Sequence, residues 1–191
     1  MTSGAYLDAA SSEPLHPAAR EALLAALDQG YADPRRLHRA GRSARLLLDN
    51  ARAVVAESLD VRPDEVSFTA SGTAAVHLGL LGLHRGARKG RIAHAAVEHS
   101  AVLHAAQWDG GAAVLPVDRL GRVEVAPPPV GTSVLAVQVA NHEVGTLQPV
   151  AALAAAADGV PLFTDACASA TAARALSSRS RADRPLSLIH I

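Results

Sequence analysis

The sequence predicts an α/β fold, an open and mostly parallel sheet with helices on both faces. Three observations lead there. Between residues 66 and 164, short β-branched apolar segments alternate with helical ones, the pattern of successive β-α units. Residues 133–140 form a nearly continuous apolar run, as a parallel strand covered on both faces requires. Polar clusters follow the strand-like segments: Ser71-Gly72-Thr73, Glu98-His99, Asn141-His142-Glu143 and Asp165. Open α/β sheets bind ligands outside the C-terminal ends of their strands, so clusters at four strand ends mark one rim as the working edge.

The elements follow in order. Tyr6-Leu7-Asp8 and the residues after it read as extended, with a turn at Glu13-Pro14. Pro17 suits the first turn of a helix over 18–28, with Ala22, Leu23, Ala26 and Leu27 on one face and Gly30 as its stop. Ala32-Asp33-Pro34 is a turn. A longer helix is expected over 43–59, carrying Leu46, Leu47, Val54 and Val55, and Arg62-Pro63-Asp64 turns the chain again. A strand is expected at 66–69, then a helix from near Gly72. The segment 85–90 is basic and glycine-containing. Further strands are expected at 91–95, 112–117, 133–140 and 161–164, with helices at 100–108 and 150–157 and a loop at 127–131. The organisation read from this is an N-terminal arm (1–17), one large domain (18–176) and an atypical Ser/Arg-rich tail (177–191).

Composition bounds the function. The chain has 191 residues, 49% of them hydrophobic, enough for a substantial core and too apolar for disorder. Eighteen basic and eighteen acidic residues cancel, and aromatic residues make up 3%. Neither a nucleic-acid surface nor a charged membrane face is expected. No apolar run is long enough to span a bilayer, and no N-terminal signal pattern is evident. One cysteine, Cys167, excludes an internal disulfide and suits a reduced cytoplasm. Lys89 is the single lysine.

Ser71-Gly72-Thr73 at a helix start makes an anion cup. The first N–H groups of a helix lack partners, the helix dipole favours negative charge there, and Gly72 permits close approach. Phosphate is the natural guest. Taken alone, the motif favours the simpler reading, in which Ser71 only caps a helix.

Seven segments carry a resemblance: YLDAASSEPLHP, ADPRRLHRAGRSAR, EVSFTASGT, AVEHSAVL, LPVDRLGRV, ANHEVGTLQPV and PLFTDA. In their order and spacing they resemble the class V aminotransferase family of pyridoxal-phosphate enzymes, most closely its cysteine desulfurase branch. The resemblance runs from Tyr6 to Ala166. It implies the large domain of the aspartate-aminotransferase fold and pyridoxal 5′-phosphate as cofactor. It implies desulfuration of L-cysteine to L-alanine through an enzyme persulfide, a sulfur-acceptor protein, a role in iron–sulfur cluster assembly, and a homodimer. Gly72 and Thr73 match the phosphate-binding positions, and His99 matches the histidine that stacks on the cofactor ring and moves protons. Asp165 matches the aspartate that pairs with the ring nitrogen. Asn141 and His142 stand where the family has two asparagines, so an imidazole occupies the second place.

The sequence departs from the family pattern elsewhere. Ala168 lies where a glutamine faces the ring hydroxyl, and Ala74 replaces an acidic residue after the Gly-Thr pair. No Ser-x-His-Lys follows Asp165: the last segment has Ser187-Leu188 and then His190-Ile191 with no lysine, and 186–191 lacks the family's pattern; Lys89 matches nothing catalytic, and Cys167 is not the family's mobile nucleophile. The chain is therefore expected to be an N-terminal fragment, or to end in an unrelated or frame-shifted tail, and to be inactive as it stands. His38 and Arg42 match a segment near the dimer interface and site mouth, and equally suit a solvated helix start. Glu143 could orient His142 or His99. The residues leave open another class V reaction, such as a transamination or selenocysteine lysis. A non-catalytic cofactor-binding module and a truncated product without independent function also remain open.

Overall fold

The computed structural model describes residues 12, 14–28, 32–87, 89–108 and 110–168, with the backbone of 186–189. The extended reading around Tyr6, the Gly30 stop and the Ser/Arg-rich stretch 177–184 lie outside the described residues. The chain divides into two compact units, Met1–Ser67 and Phe68–Ile191.

The first unit carries helices α1 (Pro17–Asp28) and α2 (Arg39–Leu59) and a short 3-10 turn at Pro63–Glu65. α2 starts earlier than the expected residue 43 because His38 caps it: the imidazole Nδ1 accepts from the Gly41 N–H at 3.1 Å. It ends at Asp60, whose left-handed φ of 56° turns the chain back. Arg52, ion-paired with Asp49 on the same helix, donates through Nε to the Val66 carbonyl at 3.2 Å. That side chain ties residue 66 to the helix. The expected strand at 66–69 does not form. Val66 has extended angles (φ −101°, ψ 125°), yet residues 66–69 join no strand ladder among the described residues. Extended local preference makes a strand only where a neighbouring strand supplies hydrogen bonds.

The second unit contains α3 (Gly72–Gly86), β1 (Arg91–Ala95), α4 (Ser100–Trp108), β2 (Ala112–Leu115), β3 (Thr132–Ala136), α5 (Val150–Ala156), β4 (Leu162–Asp165) and β5 (Leu186–Ile189). The strands form one sheet in the order β2-β1-β3-β4-β5, and every pairing is parallel. β5 lies in the stretch read as an atypical tail.

The sheet is covered on both faces, as the apolar run predicts. On one face Ile92, Val134, Ala136 and Phe163 pack with Val76 and Leu80 of α3 and Ala101, Val102, Ala105 and Ala106 of α4. On the other face Ala93, Ala95, Leu135, Val137 and Leu162 pack with Val150 and Leu153 of α5 and with Ala157. Neighbouring residues of each strand thus face opposite layers, and both are apolar. Phe163 is fully buried, and such a side chain contributes roughly 1.5–3 kcal/mol on removal from water.

Two strands are shorter than expected. Residues 112–117 end as a strand at Leu115, and Val117 makes an isolated antiparallel bridge to Val123. Residues 133–140 leave the ladder after Ala136 but stay beside β4, with the Val137 and Val139 N–H groups donating to the Phe163 and Asp165 carbonyls. Between them the Gln138 N–H is taken by a side chain, Glu98, and the ladder gives way to a site. No helix among the described residues is long and apolar enough to cross a membrane.

Candidate functional site

β1, β3 and β4 are neighbours in the sheet, and their C-terminal exits form one rim. Each exit carries a polar cluster, so three of the four expected strand ends converge. The fourth cluster, Ser71-Gly72-Thr73, opens α3 without a preceding strand. α3 is joined to β1 by a short connection at its C-terminal end and packs on β3 and β4. It runs back against the strand direction, so its N-terminus points toward the same rim.

Asp165 is the last residue of β4 and is buried. Its Oδ1 accepts from the Cys167 N–H at 3.0 Å, which fixes the carboxylate above the strand end. Desolvation, reinforced by a hydrogen bond to Asp165, pushes the Cys167 thiol up to about 12. Cys167 is solvent-exposed, and a thiol raised in this way beside a carboxylate makes a poor nucleophile.

The β3 exit supplies Asn141 and His142. Asn141 spends both ends of its amide on backbone: Oδ1 accepts from the Glu143 and Val144 N–H groups at 2.9 and 3.0 Å, and Nδ2 donates to the Val97 carbonyl at 3.1 Å. This Asx turn closes with a Gly145-to-Asn141 backbone bond and an antiparallel bridge between Ala140 and Leu147. It presents His142 at a fixed angle, with Nε2 3.5 Å from the exposed Glu143 carboxylate.

The β1 exit supplies Glu98 and His99. His99 Nδ1 accepts from the Ala101 N–H at 3.2 Å, so in the neutral ring the proton sits on Nε2. The His99 and His142 rings meet edge-on, with centroids 5.3 Å apart and planes at 65°. Glu98 is buried, and its Oε1 accepts from the Gln138 N–H at 2.8 Å. Burial pushes the Glu98 carboxyl up to about 8; the Gln138 N–H works against the rise and the Asp165 carboxylate adds to it.

At the head of α3, Ser71 Oγ accepts from the Ala74 N–H at 3.1 Å, and Thr69 Oγ1 donates to the Ser71 carbonyl at 3.0 Å. The Ser71 hydroxyl thus caps the helix, as the simpler reading requires. The N–H groups of Gly72 and Thr73, the first two helical residues, precede the one that Ser71 occupies. Lys89 lies elsewhere. It stands just before Arg91, where β1 begins, at the opposite rim of a parallel sheet. A strand of this length separates the two rims by roughly 15 Å.

Sequence reasoning placed Glu98 in a strand-end cluster without giving it a role, and missed Gln138 and the Val97 carbonyl; together the three lock the β1 exit to the β3 exit. Gln138 Nε2 also donates to Val97 O, at 2.7 Å. The signals were present: a single polar residue inside the apolar run 133–140, and a carboxylate beside His99 at a strand end. The assembled donor set is a helix N-terminus, a buried carboxylate and a pair of imidazoles along one rim. It fits a small planar molecule with a phosphate at one end and a basic ring nitrogen at the other.

Comparison with known proteins gives the same direction. The model of the class V aminotransferases matches residues 5–183. An IscS-like cysteine desulfurase of Mycobacterium tuberculosis is 38% identical over 180 residues, covering 85% of this chain and 46% of that protein. Cysteine desulfurase IscS 1 of Archaeoglobus fulgidus is 31% identical over 175 residues, covering 86% and 46%. Among solved structures, a NifS-like protein superposes with a TM-score of 0.74 at 26% identity, covering 83% of this chain and 47% of that one. The chain spans about half the length of the curated relatives it matches. It belongs to the class V aminotransferase family, whose members are pyridoxal-phosphate enzymes.

Proposed function

We propose that this chain is the cofactor-binding part of a pyridoxal-phosphate-dependent cysteine desulfurase. The convergence of Asp165, His99 and His142 at adjacent strand exits is the observation that carries this reading. The relatives named cysteine desulfurase support it. The reaction would convert L-cysteine to L-alanine and leave the sulfur on a cysteine thiol as a persulfide. Cys167, raised beside Asp165, is a poor candidate for that thiol.

Pyridoxal phosphate, when bound, supplies an electron-withdrawing ring that stabilises a carbanion at the amino-acid Cα. This chain's own residues would do the following. The Gly72 and Thr73 N–H groups and the α3 dipole bind the phosphate. Asp165 holds a proton on the ring nitrogen. His99 would move a proton through Nε2, since Nδ1 is engaged with Ala101. His142, where the family has asparagine, offers an Nε2 steered by Glu143. Asn141 acts by holding the turn that carries His142. A homodimer, a sulfur-acceptor protein, a cytoplasmic location and a role in iron–sulfur cluster assembly belong to the same proposal.

We further infer that this chain alone is inactive. Attachment of the cofactor needs a lysine amine at the C-terminal rim, and Lys89 stands at the other. The test is dialysis of the purified chain against pyridoxal 5′-phosphate, followed by borohydride reduction, peptide mapping and an alanine assay with L-cysteine. Saturable, non-covalent binding without alanine is expected. Absence of saturable binding would overturn the cofactor reading. Alanine formation would overturn the inactivity.

A further inference from the structure

His99 and His142, the two imidazoles of the rim, are both exposed, so close packing does not fix them. Their places come from the backbone turns that carry them, and those turns share one anchor, the Val97 carbonyl. It lies two residues before His99, in the turn that follows β1 and ahead of the first residue of α4. Gln138 Nε2 donates to it at 2.7 Å and Asn141 Nδ2 at 3.1 Å, so both lone pairs of the oxygen are taken by side chains from the β3 exit. Both donors are buried, Gln138 at 3% exposed and Asn141 at 8%. Chemistry decides which end of each amide faces Val97. A carbonyl only accepts, and Asn141 Oδ1 already accepts from the Glu143 and Val144 N–H groups. Gln138 stands on the firmer ground. The N–H groups on either side of it, those of Val137 and Val139, donate to the Phe163 and Asp165 carbonyls, and its own N–H donates to Glu98 Oε1 at 2.8 Å. It therefore holds the β1 exit by two bonds, one to Val97 and one to Glu98, from a backbone fixed to β4.

We propose that Gln138 is a positioning residue for both imidazoles: its side-chain amide pins the Val97 carbonyl, and that one oxygen places His99 and His142 together. In one direction from Val97 the chain reaches His99 within two residues. In the other, the bond to Asn141 holds the Asx turn whose next residue is His142. The edge-on meeting of the two rings, with centroids 5.3 Å apart, is the geometric result. Loss of the Gln138 amide would leave the Val97 oxygen with only the longer of its two bonds. The turn at 96–97 would then be free to shift toward another donor, and both rings would move with it. The consequence for the cofactor rests on the pyridoxal-phosphate reading of the site; the placement of the rings does not.

Gln138→Met tests this, because methionine matches glutamine in length, keeps the N–H that Glu98 accepts, and has no side-chain donor. The ring-nitrogen signals of the histidines are read by NMR. Those of His99 and His142 are expected to move, while those of His84, which meets Ser133 at the opposite rim, stay. Affinity for pyridoxal 5′-phosphate, by equilibrium dialysis, is expected to fall about 5-fold, the worth of one hydrogen bond. Parent positions for either ring, a His84 shift as large as theirs, or an affinity equal to the parent's would overturn the proposal. If the parent itself binds no pyridoxal phosphate, the cofactor reading fails, and the ring signals alone decide the positioning. Should Gln138→Met not fold, hydrogen exchange in the parent decides. The Gln138 side-chain amide protons should exchange with deuterium at least about tenfold more slowly than those of the exposed Gln107; equal rates would overturn the proposal.

Discussion

The two rims of one sheet make different use of their polar groups. At the N-terminal rim, polar groups are committed to closure. His84 Nδ1 meets Ser133 Oγ at 2.6 Å, Thr132 Oγ1 donates to the Pro129 carbonyl at 2.6 Å, and the Arg91 N–H donates to the Gly131 carbonyl at 2.9 Å. Gly90, at φ 108°, brings the backbones so close that a Cβ would lie 2.6 Å from the Gly131 oxygen. At the C-terminal rim, Glu98, Gln138 and Asn141 are equally committed, but what they hold in place is Asp165, His99 and His142. Close-packed closure makes one edge of a parallel sheet a foundation. Indirect bracing makes the other edge a site.

That contrast can be broken by substitutions that should change binding at one rim and stability at the other. The largest effect is expected from Asp165→Asn. Asparagine keeps the acceptor for the Cys167 N–H but loses the charge proposed to face the ring nitrogen. Affinity for pyridoxal 5′-phosphate should fall about 100-fold, the worth of a charge-assisted hydrogen bond, by equilibrium dialysis. Its thermal midpoint should barely move. Gly90→Ala should do the reverse. The positive φ and the clash with Gly131 should lower stability by about 2 kcal/mol in urea unfolding, with little change in cofactor affinity. Ser133→Ala removes the hydroxyl that His84 meets and should cost about 1 kcal/mol, again without a binding effect. Ser71→Ala is the smallest. It removes an exposed cap from α3 at a cost of about 0.5–1 kcal/mol, read by the same unfolding curves. A Gly90 or Ser133 variant that weakened the cofactor as much as it weakened the fold would erase the distinction between the rims.

Much of the second unit was legible in the sequence because its signals were local. β1 and α4 fall at 91–95 and 100–108 as the apolar patterns indicate, and the 133–140 run marks a strand covered on both faces. Residues 66–69 misled because Val66 and Phe68 have strand preference while strand formation depends on a neighbour; Phe68 stays 49% exposed. β5 was legible in principle, since Leu186, Leu188 and Ile189 make a short apolar run, but the Ser/Arg-rich residues before it masked it. The rim residues were found by motif. The bracing by Glu98 and Gln138 was not, because it joins residues 40 apart in sequence and no local pattern encodes that pairing. His38 stands where a helix cap is needed; it was weighed for the site mouth and for a solvated helix start, and the structure makes it the cap that starts α2.

All the strand pairings in this sheet are parallel, and that bears on the order in which the molecule is made. No strand can zip onto its sequence neighbour through a tight hairpin; each must wait for a crossover to close, and such non-local closures are slow. β1, β3 and β4 leave the ribosome in that order, with β4 the last of the three. The rim therefore does not exist until β4 has docked beside β3, and the residue that completes it, Asp165, is the final one of that strand. Capture of the proposed cofactor would then be a late event in folding, a readout of a finished sheet. Proteolysis of the nascent chain should be insensitive to pyridoxal phosphate until Asp165 has been added and cleared the tunnel.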